Sequence, residues 1–339
     1  MPGVENLAQF GLAAGEPVVE ATIRSQSGAV ASILNWGAVI RDLKIPMRDG
    51  SLQGVVLGFD EFAPYPLQSP YFGALVGRYA NRIADGLCFI DGRLVELDRN
   101  EKGIQTLHGG SGGVSQRLWT IVDCDESSVA LTLQLPDGDQ GFPGKLDVRC
   151  IYRFVGDATL RVDVEAITDA PTVVNFAQHS YFNLDGSDDI LGHRLRILAD
   201  AYTPVDTDLI PTGEIAPVEN SAYDFRLPRR IGTKGSTTYD HNFVLAEPLH
   251  DGMRFAASLV GGNGLAMQLH TSEPGLQFYD GAMIPSLVGL GGKAYGPFAG
   301  LCLEAQHFPD GPNQAHFPNT ILRPGETYRQ RTEFRFHSS

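Results

Sequence analysis

Cysteine is scarce in this chain, and its four copies are dispersed as Cys88, Cys124, Cys150 and Cys302. No two stand in a CxxC arrangement, which argues against a zinc cluster. Each lies in an apolar, strand-like run, as free buried thiols do. Basic residues are also short. Lys and Arg number 26 against 40 Asp and Glu, a formal charge of −14. Nucleic acid and anionic membrane are therefore not expected as partners, because both attract basic surfaces. A neutral ligand is indifferent to such a field. No stretch approaches the roughly 20 apolar residues of a membrane span. The opening Met1-Pro2-Gly3-Val4-Glu5-Asn6 has no basic region leading into a long apolar one, so cytoplasmic residence is expected. Helical periodicity is missing as well, with no window of roughly 12 or more residues repeating its apolar positions at the helical period.

Turn-forming residues are abundant. The 39 Gly and 21 Pro suit an all-β chain rich in turns. The 42% apolar and 19% charged content is that of a globular protein. No linker, repeat or low-complexity tract divides the 339 residues, so residues 1–339 are expected to form one domain.

Short β-type runs recur from end to end. Val18–Arg24 and Ala29–Asn35 flank a Ser-Gln-Ser-Gly turn, and Leu87–Ile90 and Leu94–Leu97 flank Asp91-Gly92. Asp-Gly is a strong hairpin signal, since both residues tolerate positive φ. Trp119–Cys124 is expected to pair with Ala130–Leu135, Leu146–Phe154 with Leu160–Ile167, and Met253–Val260 with Leu265–Thr271. In Leu160–Ala166, apolar and charged residues alternate with period two, which predicts a half-buried strand. Strands this dense predict a large antiparallel β-sandwich.

Polar clusters interrupt that background. Glu304 follows Gly300-Leu301-Cys302-Leu303 inside a strand-like apolar run. Burial makes a carboxylate a better proton acceptor or a raised-pKa acid. Asn175–Leu184 reads as one strand with His179, Tyr181 and Asn183 on one face, a polar row suited to a cleft floor. Arg82, within Gly77–Ile83, could grip hydroxyls or hold a carboxylate, or be a surface arginine in an ion pair. Gly109-Gly110 after His108 let backbone approach a ligand closely, although His108 alone reads as a structural histidine. Asp240 could accept hydrogen bonds from sugar hydroxyls or cap a turn. Gln277 and Tyr279 share a strand face.

As an ordered set these elements resemble the aldose 1-epimerase (galactose mutarotase) family. The elements that carry the resemblance are Asn81-Arg82-Ile83, Leu107-His108-Gly109-Gly110 and His179-Ser180-Tyr181-Phe182-Asn183-Leu184. They continue with Asp240-His241-Asn242-Phe243, Leu276-Gln277-Phe278-Tyr279, Glu304-Ala305-Gln306, Pro309-Asp310 and Asn313. They span about Gly77 to Tyr328. The resemblance implies a mutarotase-like supersandwich of roughly thirty strands, no metal and no organic cofactor. It implies Glu304 as general base and His179 as general acid. Asn81, Arg82, His108, Tyr181, Asp240 and Gln277 are the implied sugar-binding residues. The expected partner is a free monosaccharide, taken by a monomer or homodimer. Ala177-Gln178, Asp280-Gly281-Ala282 and Ala305 depart from common family residues and bear on sugar preference.

The expected chemistry is anomer exchange by ring opening, with a carboxylate and a protonated imidazole on opposite sides of the ring. Other readings are a glycoside hydrolase or lyase-like sandwich enzyme using Asp240 and Glu304, a hexose-6-phosphate epimerase, and a non-catalytic carbohydrate-binding module. His108, His179 and Glu304 share no short metal-type spacing such as HExxH.

Overall fold

The computed structural model describes residues 6–232, 235–246 and 248–338. Residues 1–5, read above for a targeting signal, lie outside the described residues. Thirty strands are described, and the longest α-helix among the described residues is Pro64–Leu67. No described helix is long and apolar enough to cross a membrane.

A nine-stranded sheet runs in the order Thr120–Cys124, Ser128–Leu135, Leu146–Phe154, Thr159–Thr168, Tyr328–Ser338, Leu265–Thr271, Arg254–Val260, Arg194–Ile197, Arg229–Arg230. A six-stranded sheet faces it: Tyr181–Phe182, Leu301–Gln306, Gly275–Tyr279, Asp240–Leu245, Ala199–Thr203, Ala216–Pro217. A five-stranded meander, Leu7 to Gly54, packs into the same core. The ladders joining neighbouring strands in these sheets are antiparallel.

The expected hairpins form. Leu146–Phe154 pairs with Thr159–Thr168, and Leu87–Ile90 pairs with Arg93–Glu96 across Asp91-Gly92. In the alternating run, Leu160, Val162, Val164 and Ala166 are buried while Arg161, Asp163 and Glu165 face outward. This is the half-wet strand that period-two alternation predicts.

Leu301–Gln306 and Gly275–Tyr279 of the six-stranded sheet are covered on both faces, which explains why they read as apolar. Leu301, Leu303, Ala305, Leu276 and Phe278 point into the core between the sheets. Phe182 meets Phe334 of the opposing sheet with ring centroids 5.1 Å apart. Cys302, Glu304 and Gln306 alternate onto the other face, yet each is at most 2% exposed. Short irregular segments roof that face, including the paired strands Arg82–Ile83 with Thr106–Leu107 and Ala74–Val76 with Ala177–His179.

One element departs from expectation. Asn175–Leu184 is not a continuous strand, because it breaks at Ser180 and changes partners. Ala177–His179 pairs with Ala74–Val76, and Tyr181–Phe182 pairs with Leu301–Cys302. Past the break, Asn183 donates to the Ser187 and Ala299 carbonyls. It does not join His179 and Tyr181.

Candidate active site

Beneath the roof of the six-stranded sheet lies a cavity of ≈ 190 Å³, lined by Tyr71, Asn81, Arg82, Glu101, His108, His179, Tyr181, Asp240, Tyr279, Met283 and Glu304 among others. Larger hollows exist, one of ≈ 710 Å³ on the outer face of the nine-stranded sheet. Its cations, however, are spent on surface ion pairs such as Arg161–Glu333 and Arg335–Glu333. Convergent buried polar groups, rather than size, mark a small-molecule site. The smaller cavity has them, and its volume falls below the roughly 300 Å³ at which drug-sized sites begin. It suits a single sugar ring.

Glu304 and His179 meet here, with His179 Nε2 3.6 Å from Glu304 Oε2. They stand side by side on one wall, not on opposite sides of a ring. That spacing leaves no room for a pyranose between them, but it suits two oxygens bonded to the same carbon. Burial, reinforced by nearby Asp240, pushes the Glu304 carboxyl well above its ordinary range. Burial pulls His179 down to about 4. Burial thus favours the neutral forms of both groups over the carboxylate and imidazolium expected above. Removing water disfavours two separated charges more than a neutral pair. The pair still holds one proton, and moving it from oxygen to nitrogen gives the carboxylate and imidazolium.

Arg82 points its guanidinium at two carboxylates. Nε and Nη2 grip Glu101 at 2.8 and 2.9 Å, and Nη1 lies 3.7 Å from Asp240. Burial alone would lower its pKa, but Glu101 and Asp240 hold it up. Asp240 is pushed upward by burial, against the pull of Arg82 and Gln277. Gln277 donates Nε2–H to Asp240 at 2.7 Å and is the register partner of Glu304.

His108 is held from behind. The Asn81 backbone N–H donates to its Nδ1 at 3.1 Å, and burial keeps the ring neutral. A neutral imidazole that accepts at Nδ1 carries its proton on Nε2. His108 thus offers an N–H donor. Ligand atoms of His108, His179 and Glu304 do lie within 4.8 Å of one another. Metal ligation through Nε2 of His108, however, would need the proton moved to Nδ1, against the Asn81 N–H. The donor set suits hydroxyl oxygens better than a cation. Asn81 and His108 both hold positive φ, 63° and 50°, a strained backbone of the kind that gathers at functional sites. Gly109 must be glycine here, since a Cβ would sit 2.1 Å from the Gly77 carbonyl oxygen.

The structure gathers Asn81, Arg82, His108, His179, Tyr181, Asp240 and Glu304 around one cavity, with Gln277 directly behind. Glu101, Tyr71 and Cys302 were missed. The Tyr71 ring packs on His108 and His179 at 4.6 and 5.7 Å, and Cys302 Sγ lies 3.4 Å from His179 Nδ1. Alternation could have flagged Cys302, two residues before Glu304 on the same strand face. Nothing in the sequence around Glu101 or Tyr71 signals their contacts.

Known proteins resemble this chain over nearly its whole length. The sequence profile of the aldose 1-epimerase family matches residues 20–335. A galactose mutarotase from Rattus norvegicus is 42% identical over 312 residues, covering 90% of each chain. An aldose 1-epimerase from Escherichia coli K12 is 37% identical over 334 residues, covering 95% of this chain and 96% of that one. Among solved structures, a GalM/aldose epimerase homologue from C. elegans superposes with a TM-score of 0.89 at 29% identity, covering 95% of this chain and 99% of the other. A galactose 1-epimerase from Lactobacillus acidophilus gives 0.84 at 26% identity, covering 98% of both.

Proposed function

The chain belongs to the aldose 1-epimerase family, and on that premise we propose that it interconverts the α and β anomers of a free aldose by acid–base ring opening and reclosure. The observation that carries this reading is the Glu304–His179 pair at 3.6 Å, buried in one sugar-sized cavity. With the shared proton on the imidazole, Glu304 takes the proton of the C1 hydroxyl while His179 Nε2 protonates O5. The C1–O5 bond breaks and C1 becomes an aldehyde. Rotation about C1–C2 presents its other face. His179 then withdraws the proton from the C5 hydroxyl as O5 attacks, and Glu304 returns its proton to the C1 oxygen. The open-chain sugar thus pairs with protonated Glu304 and neutral His179, the forms that burial favours. Each positioned proton transfer contributes about 10²–10⁴ in rate, enough for a reaction that proceeds unaided in water.

Arg82, His108, Asp240, Asn81 and Tyr181 hold the remaining hydroxyls, and Gln277 fixes Asp240. The carboxyl groups Glu101, Asp240 and Glu304 outnumber the single cation Arg82 around the cavity, and Arg82 is already paired. This favours a neutral sugar over a sugar phosphate. The whole chain, residues 1–339, acts as one domain, in keeping with the span of the family match. It works as a monomer or homodimer on a free monosaccharide. Four buried free thiols fit the reducing cytoplasm.

Polarimetry on freshly dissolved α-anomers of galactose, glucose, xylose and arabinose tests the reading. Faster approach to equilibrium is expected with at least one aldose, with no release of reducing ends from oligosaccharides. Sugar binding without acceleration would favour a binding module, and reducing-end release would favour a hydrolase.

A further inference from the structure

The catalytic histidine has a second neighbour that the reaction as written does not use. Cys302 is fully buried, and its sulfur lies 3.4 Å from His179 Nδ1, on the far side of the ring from the nitrogen facing Glu304. Cys302 and Glu304 sit two residues apart on one strand face, so a single strand presents a group to each nitrogen of the same imidazole. Tyr181, the register partner of Cys302, stacks on the His179 ring with centroids 5.1 Å apart. The stack fixes the plane of the ring but leaves open which nitrogen faces Glu304.

We propose that Cys302 is a positioning residue for anomer exchange: its sulfur accepts the Nδ1–H of His179, so that Nε2 alone gives and takes the proton of the sugar ring oxygen. This rests on the acid–base reading above. The proton balance is closed within the pair and the sugar. Imidazolium loses Nε2–H to O5 and keeps Nδ1–H on sulfur, and reclosure restores Nε2–H. Cys302 gains and loses nothing. Burial keeps the thiol protonated by raising its pKa, so it adds no charge beside the ring. A carboxylate in its place would hold the imidazolium too firmly to release a proton to a weakly basic ring oxygen.

The test compares wild type with Cys302→Ala and Cys302→Ser. Nitrogen-15 NMR of the His179 ring is expected to show one neutral tautomer, Nδ1–H, in wild type and Cys302→Ser, and a mixture in Cys302→Ala. Losing one neutral hydrogen bond predicts a fall in kcat of about fivefold to tenfold for Cys302→Ala. KM should stay within about twofold, and Cys302→Ser should recover most of the loss. A wild-type ring protonated on Nε2, or an unchanged tautomer and kcat in Cys302→Ala, overturns the proposal. If Cys302→Ala does not fold, the tautomers of wild type and Cys302→Ser decide alone. Failure of wild type to accelerate mutarotation would instead strike the functional reading, because the tautomer is read without turnover.

Discussion

Gln277 and Glu304 are register partners on adjacent antiparallel strands, and each keeps one buried side-chain oxygen without a hydrogen-bond partner. Unpaired buried oxygens are expensive unless a ligand or water satisfies them. Glu304 lines the cavity where a sugar hydroxyl is expected, and Gln277 stands behind it, holding Asp240. Gln277→Leu is therefore predicted to raise KM by about tenfold, since it removes the amide that holds Asp240 against the sugar. A KM within twofold of wild type would show that the amide does not serve sugar binding.

The protonation states of Glu304 and His179 predict the pH profile. One proton on the pair is the active state. Adding a second requires His179 to protonate, which burial postpones to about pH 4. Removing the only one requires Glu304 to ionise, which burial postpones to well above its ordinary range. Catalysis above the spontaneous rate should hold steady near neutrality and fall only as pH approaches about 4 on the acid side. An acid limb centred near 6.5, the unperturbed histidine value, would contradict the geometry.

The same shift predicts a stability effect. The folded chain keeps a proton on Glu304 that the unfolded chain releases. This contribution is complete below the unfolded carboxyl value and is lost as pH rises through the folded one. Glu304→Gln removes the titration, so its Tm should exceed that of wild type by more at about pH 8 than at about pH 5. Equal differences at both values would place the carboxyl in contact with solvent. Differential scanning calorimetry measures both.

Arg82 and Glu101 act as a unit. Arg82→Ala should raise KM and also lower kcat, because positioning contributes to the barrier. Glu101→Gln should do the same more weakly, and the double variant should resemble Arg82→Ala alone. Strict additivity in kcat/KM would mean that the two side chains serve the sugar separately.

Metal removal gives a further check. The Asn81 N–H on Nδ1 of His108 predicts that prolonged EDTA treatment leaves activity unchanged. Full loss, restored only by a divalent ion, would replace the proton-transfer account.

Local chemistry made much of the fold legible. Asp91-Gly92 and the alternation over Leu160–Ala166 each describe interactions between near neighbours, and both gave the observed pairing. The apolar surroundings of Glu304 foretold its burial, because a strand covered on both faces carries little polarity. What escaped depends on distant segments. Ser180 ends one pairing and begins another only because Ala74–Val76 and Leu301–Cys302, both distant in sequence, pair on either side of it. Glu101 lies on an irregular loop with no periodicity, and only the fold brings it to Arg82. The preference of Glu304 and His179 for their neutral forms likewise follows from desolvation, a property of the assembled cavity.

Anomer exchange in a free aldose, followed by NMR magnetisation transfer between the α and β C1 protons, tests the central claim most directly when wild type is set beside Glu304→Gln. The account predicts rapid exchange with wild type and a loss of about 10²–10⁴ in kcat with Glu304→Gln, at nearly unchanged apparent sugar affinity. Exchange at the wild-type rate in Glu304→Gln would contradict it.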